Sequence, residues 1–332
     1  MKFYPDEPEK IDSLEHFSLK KDFSFNLRKL YLIGGRRYGK TFSVKKFILK
    51  HAIKEQSEFF WSRSTDVALA NLTDYGFFSR VEQFLPEWGI QKHSIKNNKV
   101  YLNGRLCGML LSVSTFHNAK GADFTVDFGV WDEFMRAKGE RPVPDKLEKF
   151  NDLCESVLRG NGRKIFYNTN STNCYDEVLQ PFKTTFKEGY GCYVYREMDS
   201  VVHYIRSSAA HLRNMEASLS GVNMSEEEKD MAFYNKFSDH GDYGKQSKTK
   251  YLFTVQISDR KFISVYRGGN AYYIKDALPE KATIFTLENH YVNNIVHKMS
   301  QAVKRSLQDI YNRGNMVFLD GYSRSAFIDN IM

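Results

Sequence analysis

A glycine-rich turn that ends in lysine and threonine is the strongest chemical signal in this sequence. Residues 34–41 match the P-loop pattern G-x-x-x-x-G-K-[ST]. In such a turn, successive backbone N–H groups and a helix N-terminus point at one anion, for which a phosphate group is the expected occupant. We therefore predict that Lys40 reaches the β- and γ-phosphates of ATP and that the Thr41 hydroxyl binds Mg²⁺. The predicted nucleotide contacts are Gly34, Gly35, Arg36, Arg37, Tyr38, Gly39, Lys40, Thr41 and Phe42.

Two adjacent carboxylates supply the second half of the predicted chemistry. Residues 124–133 form a largely apolar run that ends in Asp132 and Glu133. At the end of a strand beside a P-loop, Asp132 would hold the magnesium shell and Glu133 would orient and activate a water molecule. Asp127 and Gly129 interrupt the run, although a central parallel strand is expected to be apolar throughout. The extent of this strand is therefore left open.

Further polar residues follow predicted elements, and each has two interpretations. A helix predicted over 146–158 is followed by Arg159 and Arg163, which could reach a neighbouring subunit's γ-phosphate or could stabilise the helix C-terminus. The cluster 168–172 follows a predicted strand and could contact the attacking water, or it could cap a helix. Arg63, at the end of a predicted strand over 58–62, could touch nucleotide or DNA, although a surface arginine is the commoner interpretation at such a position.

Composition and charge narrow the class of protein. The 332 residues are 42% hydrophobic, which is sufficient for packed cores in two domains. The net charge of +8 favours an anionic partner such as nucleic acid or indicates only a solvated basic surface. The four cysteines form no C-x-x-C pair, so neither a disulfide framework nor a zinc site is indicated. No apolar run is long enough for a bilayer, and we expect a cytosolic protein.

The elements that must position these residues divide into two parts. We predict a first domain over 1–202, a helical linker or hinge over 203–247, and a smaller α+β domain over 248–332. In the first domain, a buried strand over 29–33 precedes the P-loop and a helix over 41–53 follows it. A β-hairpin is predicted around Asn103-Gly104, preceded by a basic loop over 96–99 that is solvated or touches a phosphate backbone.

Taken together, the motifs resemble those of the DNA encapsidation ATPase of small podophages with protein-primed genomes, which is related to terminase large subunits. The resemblance rests on Gly-Gly-Arg-Arg-Tyr-Gly-Lys-Thr, Val-Trp-Asp-Glu-Phe, Val-Leu-Arg-Gly-Asn-Gly-Arg and Asn-Thr-Asn-Ser, followed by a β-rich tail. It covers nearly the whole chain. It implies an α/β fold: a P-loop ATPase domain of the ASCE type with a mainly parallel sheet, and a C-terminal RNase H-like domain that has lost nuclease chemistry.

The resemblance also implies roles and partners. Lys40 and Thr41 take the Walker A roles, Asp132 binds the metal, and Glu133 activates water. Arg159 matches a trans-acting arginine finger, with Arg163 a weaker candidate, and Asn170 lies in the family's coupling motif. The family acts in the host cytoplasm as a homomeric ring, usually a pentamer. The ring pushes double-stranded DNA through the portal of a prohead and is absent from the mature virion. Some relatives dock on a packaging RNA, and the sequence does not decide whether this chain does.

Other classes of protein are distinguished by specific features. A P-loop GTPase is disfavoured because no N-K-x-D motif is present, and a kinase is disfavoured by the Glu after Asp132. A terminase-like nuclease would need metal-binding carboxylates in the tail, but Asp259, Asp276, Asp320 and Asp329 do not form an obvious three-carboxylate pattern. Another P-loop nucleic-acid translocase or a non-catalytic DNA-binding protein would share the basic charge.

Overall fold

The computed structural model describes the chain except for residues 13–15, 75, 116–125, 136–142, 144, 159–163, 171–175, 183–185, 187, 218–248, 259–260, 270 and 288–295. The chain divides into two compact units. The first contains residues 1–174 and 181–238, and the second contains 175–180 and 239–332. Strand β10, Ser200–Tyr204, belongs to the first unit and continues past the predicted domain limit at 202. The other predicted limits, which place a linker over 203–247 and a second domain from 248, stay predictions.

The first unit contains ten strands and six helices among its described residues. The strands are β1 Lys2–Pro5, β2 Lys29–Ile33, β3 Phe59–Arg63, β4 His93–Lys96, β5 Lys99–Leu102, β6 Arg105–Ser112, β7 Phe128–Asp132, β8 Lys164–Thr169, β9 Gly191–Tyr195 and β10. The helices are α1 Pro8–Ile11, α2 Lys20–Ser24, α3 Lys40–Lys54, α4 Asp66–Asp74, α5 Lys146–Val157 and α6 Ala209–Glu216.

All ten strands form one sheet in the order β1-β9-β10-β2-β8-β7-β3-β6-β5-β4. The six central strands, from β10 to β6, pair in parallel, and the outer strands pair antiparallel. One strand, β8, lies between the P-loop strand β2 and the carboxylate strand β7. Because parallel strands all end at the same edge of a sheet, the residues that follow β2, β3, β7, β8 and β10 lie at one edge.

The predicted strand 29–33 and the helix after the P-loop are confirmed as β2 and α3. The predicted hairpin is confirmed as β5 and β6, joined by Asn103-Gly104. The carboxylate strand is shorter than the apolar run, because the Asp127 carboxylate accepts the Glu58 N–H at 2.9 Å before β7 begins. The basic loop predicted over 96–99 is instead the tip of a second hairpin, β4–β5.

Three further segments differ in how much helix they form. The N-terminal segment forms β1 and the short helices α1 and α2. After α4, residues 82–84 form only the 3₁₀ turn Glu82–Phe84. In the second unit a helix begins at Gln301, because the Ser300 hydroxyl accepts the Val303 N–H and caps it there.

The second unit contains a six-stranded sheet with two helices among its described residues. Its elements are β11 Lys250–Ser258, β12 Lys261–Gly268, β13 Ala271–Lys275, β14 Ile284–Thr286, β15 Val296–Lys298, α7 Gln301–Asn312, β16 Met316–Phe318 and α8 Gly321–Asn330. The strand order is β15-β14-β11-β12-β13-β16. The antiparallel meander β11-β12-β13, with β14 parallel to β11 and β15 parallel to β14, is the strand order of an RNase H-like fold.

Each unit has its own hydrophobic core. In the first unit, one core cluster lies on a single face of the sheet and includes Leu30, Leu32 and, from α3, Val44. In the second unit Val255, Ile263 and Phe327 are fully buried. No described helix is both long enough and apolar enough to span a membrane.

Candidate nucleotide-binding and hydrolysis site

The P-loop lies between β2 and α3, as its sequence predicts. Gly39 has a φ of 90°, a left-handed conformation that favours glycine at the turn into the helix. The Lys40 ammonium is buried and donates to the carbonyl oxygens of Gly34 and Gly35, each at 2.7 Å, and to Asn170 Oδ1 at 3.3 Å. Burial lowers the pKa of Lys40 to about 7. The loop thus curls around its own lysine.

Neighbouring elements hold the P-loop from two sides. The Phe17 N–H donates to the Tyr38 carbonyl at 2.9 Å, and Phe17 O accepts the Ser43 hydroxyl at 2.6 Å. On the other side, His211 Nε2 lies 3.1 Å from the Arg36 carbonyl. Burial lowers the pKa of His211, which favours a neutral ring that donates this bond. The P-loop backbone is therefore fixed by both the N-terminal segment and α6.

The remaining predicted nucleotide contacts have different environments. The side chains of Arg36 and Arg37 are exposed, whereas Tyr38 is buried with its ring 4.9 Å from the His211 ring. The Phe42 ring packs against the aromatic rings of Phe84 and Trp88, at 5.2 and 5.9 Å. Tyr38 and Phe42 thus contribute to packing around the loop.

Thr41, Asp132 and Asn168 form a polar cluster beside Lys40. The Asn168 amide donates to Thr41 Oγ1 at 2.8 Å and to Asp132 Oδ1 at 2.7 Å, and the Thr41 hydroxyl donates to Asp132 Oδ1 at 3.3 Å. Asp132 and Asn168 are both 1% exposed. They end up together because β7 and β8 are parallel neighbours, with Asp132 opposite Asn168 in the register. This places the carboxylate predicted to bind the metal next to the P-loop threonine.

Arg63 closes the cluster from the end of β3. Its guanidinium lies 2.9 Å from Asp132 Oδ2 and also pairs with the Glu133 carboxylate. Glu133 has a φ of 57°, and its N–H donates to the Asn168 carbonyl at 2.7 Å. The Glu133 side chain is 54% exposed, so it reaches solvent while Asp132 does not. One arginine therefore holds both predicted functional carboxylates.

The oxygen atoms of this cluster are suitable ligands for a magnesium ion. Thr41 Oγ1 and Asp132 Oδ1 are oxygen ligands of the kind that Mg²⁺ prefers. The buried Asn168 Oδ1 has no hydrogen-bond partner among the described residues, which leaves an additional polar atom able to accept from a metal-bound water. Among the described residues, this cluster contains no histidine or cysteine ligand that would favour a softer metal.

The structure brings together Lys40, Thr41, Asp132, Glu133 and Asn170. Arg159, predicted as an arginine finger, and Arg163 lie outside the described residues. Arg63 was interpreted as a surface residue, and that interpretation is wrong because its side chain is only 14% exposed. The signal available in the sequence was its place at a strand end.

The sequence is similar to those of known phage proteins. Residues 12–329 match the family described as Podovirus DNA encapsidation protein (Gp16). The chain is 25% identical over 155 residues to the DNA packaging protein of Bacillus phage phi29, a match that spans 46% of this chain and 45% of the phi29 protein. The chain thus covers less than half the length of this curated relative.

Two solved structures have similar folds. One, the Phi-28 gp11 DNA packaging motor, has a TM-score of 0.66 at 16% identity and covers 96% of this chain and 98% of its own. The other, the bacteriophage Phi-29 viral genome packaging motor assembly, has a TM-score of 0.64 at 20% identity, with 95% and 98% covered. These similarities confirm the predicted fold class, an ASCE-type α/β P-loop domain followed by a smaller α+β domain.

Proposed function

The chain belongs to the Podovirus DNA encapsidation protein (Gp16) family, and on this basis we propose that it is a packaging motor that hydrolyses ATP to move double-stranded DNA into a prohead. The observation that carries the proposal is the convergence of Lys40, Thr41, Asp132 and Glu133 at one sheet edge. A P-loop lysine and threonine, a buried aspartate and a solvent-reaching glutamate are the set that ATP hydrolysis needs.

Each residue would act through a contact already present. Lys40 leaves the carbonyls of Gly34 and Gly35 for phosphate oxygens, which are stronger acceptors because they are charged. Thr41 and Asp132 would hold Mg²⁺, and when bound that ion neutralises charge developing on the phosphates. Glu133, whose side chain reaches solvent, orients and deprotonates the attacking water. Asn170, within reach of Lys40, is placed to sense whether the γ-phosphate is present.

The proposal includes partners at the prohead. We infer that five copies form a ring in which Arg159 of one subunit completes the site of its neighbour. Such a shared site would convert hydrolysis into subunit movement. The ring would act on the prohead portal in the host cytoplasm, and a packaging RNA is a further candidate partner. DNA would be bound through its phosphates, because a motor must move along any sequence.

The first test replaces the P-loop lysine. Lys40→Ala should reduce ATP turnover by about 100-fold or more, since it removes a charge that stabilises the transition state. Lys46→Ala on the exposed face of the same helix is the matched control and should retain turnover. Both variants should keep the melting temperature of the unmodified protein. Full turnover in folded Lys40→Ala would contradict the proposed site.

A second test addresses the motor and its shared site. Duplex DNA should stimulate turnover, and the rate per subunit should rise with protein concentration as rings assemble. Mixing Arg159→Ala with Glu133→Ala subunits should restore part of the activity that each variant lacks alone. If the mixture stays inactive while the unmodified protein is stimulated by DNA, the site is complete within one subunit.

A further inference from the structure

The β4–β5 hairpin presents one apolar face and one basic face. Val100 and Leu102 are fully buried in the core of the first unit, and Ile95 packs against that core. Side chains alternate along a strand, so Lys96 and Lys99 point away from it. Both are exposed, and the register places them directly opposite each other. The hairpin therefore carries two like charges as a cross-strand pair.

This arrangement is unfavourable for folding alone. Like charges directly opposite each other in an antiparallel pair are destabilising. Lys92, also exposed, precedes β4 by one residue and alternates in step with Ser94 and Lys96, so it adds a third positive charge to the same side of the hairpin. Within the described parts of the chain, none of the three lysines lies within 4.0 Å of a carboxylate. We name Lys92, Lys96 and Lys99 the lysine face.

Protection of a sheet edge explains only part of the lysine face. Lysines on an exposed edge strand prevent pairing with other chains, and β4 is the edge strand of this sheet. Lys96 lies on β4, so this role accounts for it. Lys99 lies on β5, which is covered by β4 on one side and by β6 on the other. An edge function does not require a lysine there.

The residues around the lysine face suit a phosphate backbone. Asn97 and Asn98 form the exposed turn, with φ values of 50° and 60°, and their amides can donate to phosphate oxygens. Ser94 and Tyr101 lie opposite each other on the same face as the lysines and add two hydroxyl donors. Contacts of this kind to phosphates do not require that side chains reach the edges of the bases.

We propose that the lysine face binds the phosphate backbone of the duplex DNA that the motor moves. This inference rests on the proposed function and adds the surface that contacts DNA. The choice of DNA follows from the family's description as a DNA encapsidation protein, and the choice of duplex DNA follows from the proposed function. Contacts to phosphates alone give binding without sequence preference and with a strong dependence on salt.

The test compares charge removal on the lysine face with charge removal elsewhere. Lys96→Gln/Lys99→Gln is measured against the control Lys20→Gln/Lys54→Gln, whose two exposed lysines lie elsewhere in the same unit. Binding of a fluorescent 30-base-pair DNA of random sequence is measured between 50 and 200 mM salt. The slope of log K against log salt is negative, and removal of two phosphate contacts should make it shallower by about 1.8. Basal ATP turnover should be the same in all three proteins.

The outcomes separate this inference from the proposed function. A lower slope in the hairpin variant alone supports the lysine face. The lysine-face proposal is overturned if the salt slopes are equal in all three proteins, or if the control loses as much slope as the hairpin variant. In either case, binding of duplex DNA by the unmodified protein still supports the proposed motor. If the unmodified protein hydrolyses ATP but binds no duplex DNA, both proposals fail. Hairpin-dependent binding of an RNA duplex but not of DNA also overturns the assignment to DNA.

Discussion

The guanidinium of Arg63 lies 2.9 Å from the buried carboxylate of Asp132, at the ends of two neighbouring parallel strands. The same guanidinium pairs with Glu133, so a single cation from β3 sets the orientation of both carboxylates. Arginine suits this position because its planar fork can donate to two acceptors at once, which a lysine ammonium does less well. The carboxylate proposed to hold the metal and the one proposed as the base are therefore held by the same side chain.

Replacement of Arg63 should destabilise the first unit. Arg63→Leu leaves the Asp132 charge buried without its partner, and loss of one partner of a buried pair costs about 3 kcal/mol. Arg63→Lys should cost less, because an ammonium can still reach one carboxylate. Urea unfolding followed by tryptophan fluorescence measures this unit selectively, because all three tryptophans, Trp61, Trp88 and Trp131, lie within it.

A double substitution controls for changes elsewhere in the unit. Asp132→Asn removes the charge that Arg63 compensates, so Arg63→Leu should cost clearly less in that background than in the unmodified protein. If the two substitutions are additive, the contact between Arg63 and Asp132 carries no coupling energy and its assignment as a linking residue is wrong.

Asn168 should determine how tightly magnesium is held. Its amide donates to Thr41 and Asp132, the two proposed metal ligands, and so orients them. Loss of such supporting contacts typically lowers metal affinity or activity by about 10–100-fold, and we expect a loss of this size here. Asn168→Ala should therefore raise the Mg²⁺ concentration that gives half-maximal ATP turnover. The control is Asn151→Ala, on the exposed face of α5. An unchanged magnesium titration would argue that Asn168 serves only packing.

The sequence identified the local parts of the site better than their arrangement. Lys40, Thr41, Asp132 and Glu133 were found because fixed local spacing and strand-end position define them. The role of Arg63 depends on β3 lying beside β7, and strand order is not encoded in any local pattern. Similarly, β1 pairs with β9, which lies near the other end of the first unit's sequence, and the four residues of β1 alone carry no pattern that indicates a strand.

Aromatic residues at helical spacing can fill a core without forming a helix. Phe77 and Phe78 have spacing typical of a helix, yet their rings fill the core from turns and lie 5.1 Å apart. Packing of large rings here outweighs local helix preference. Gly129, which breaks the apolar run in the sequence, does not break the strand: it is buried within β7, where a side chain would collide with the Phe60 ring.

Gly129 provides a stability test of this packing. A Cβ atom at Gly129 would lie 2.6 Å from Cζ of Phe60, on the adjacent strand β3. Gly129→Ala should therefore lower the free energy of unfolding by about 1–3 kcal/mol through overpacking. Tryptophan fluorescence during urea unfolding gives the value. In a Phe60→Leu background the same alanine should cost less, and an equal cost in both backgrounds would show that the ring is not the cause.

A buried ion cluster ties the N-terminal segment to the sheet. His203 on β10 has Nδ1 at 2.8 Å from Asp22 and Nε2 at 3.2 Å from Asp6, and all three side chains are buried. Burial is the largest single influence and would lower the pKa of His203, but the negative charge of Asp22, the Cys192 thiol and the hydrogen bonds to Asp22 and Asp6 together raise the pKa well above the ordinary value. Lys21, which pairs with Asp6 at 2.8 Å, and the thiol of Cys192 also face this cluster.

The raised pKa of His203 predicts how stability depends on pH. The folded state holds the proton more tightly than the unfolded state, so the stabilisation is complete below an ordinary histidine pKa of about 6.5. As pH rises from there towards the folded pKa, this contribution to the free energy of unfolding should fall by up to about 1.4 kcal/mol per pH unit. Lys40, whose folded pKa of about 7 lies below its ordinary value, contributes the opposite slope above pH 7. The His203 contribution is therefore the difference between the unmodified protein and His203→Gln in tryptophan-monitored urea unfolding at pH 6.5, 7.5 and 8.5, and this difference should decline over that range. His93→Gln, on the partly exposed strand β4, should keep the pH dependence of the unmodified protein. An identical pH dependence in His203→Gln would mean that His203 stays neutral between its two carboxylates.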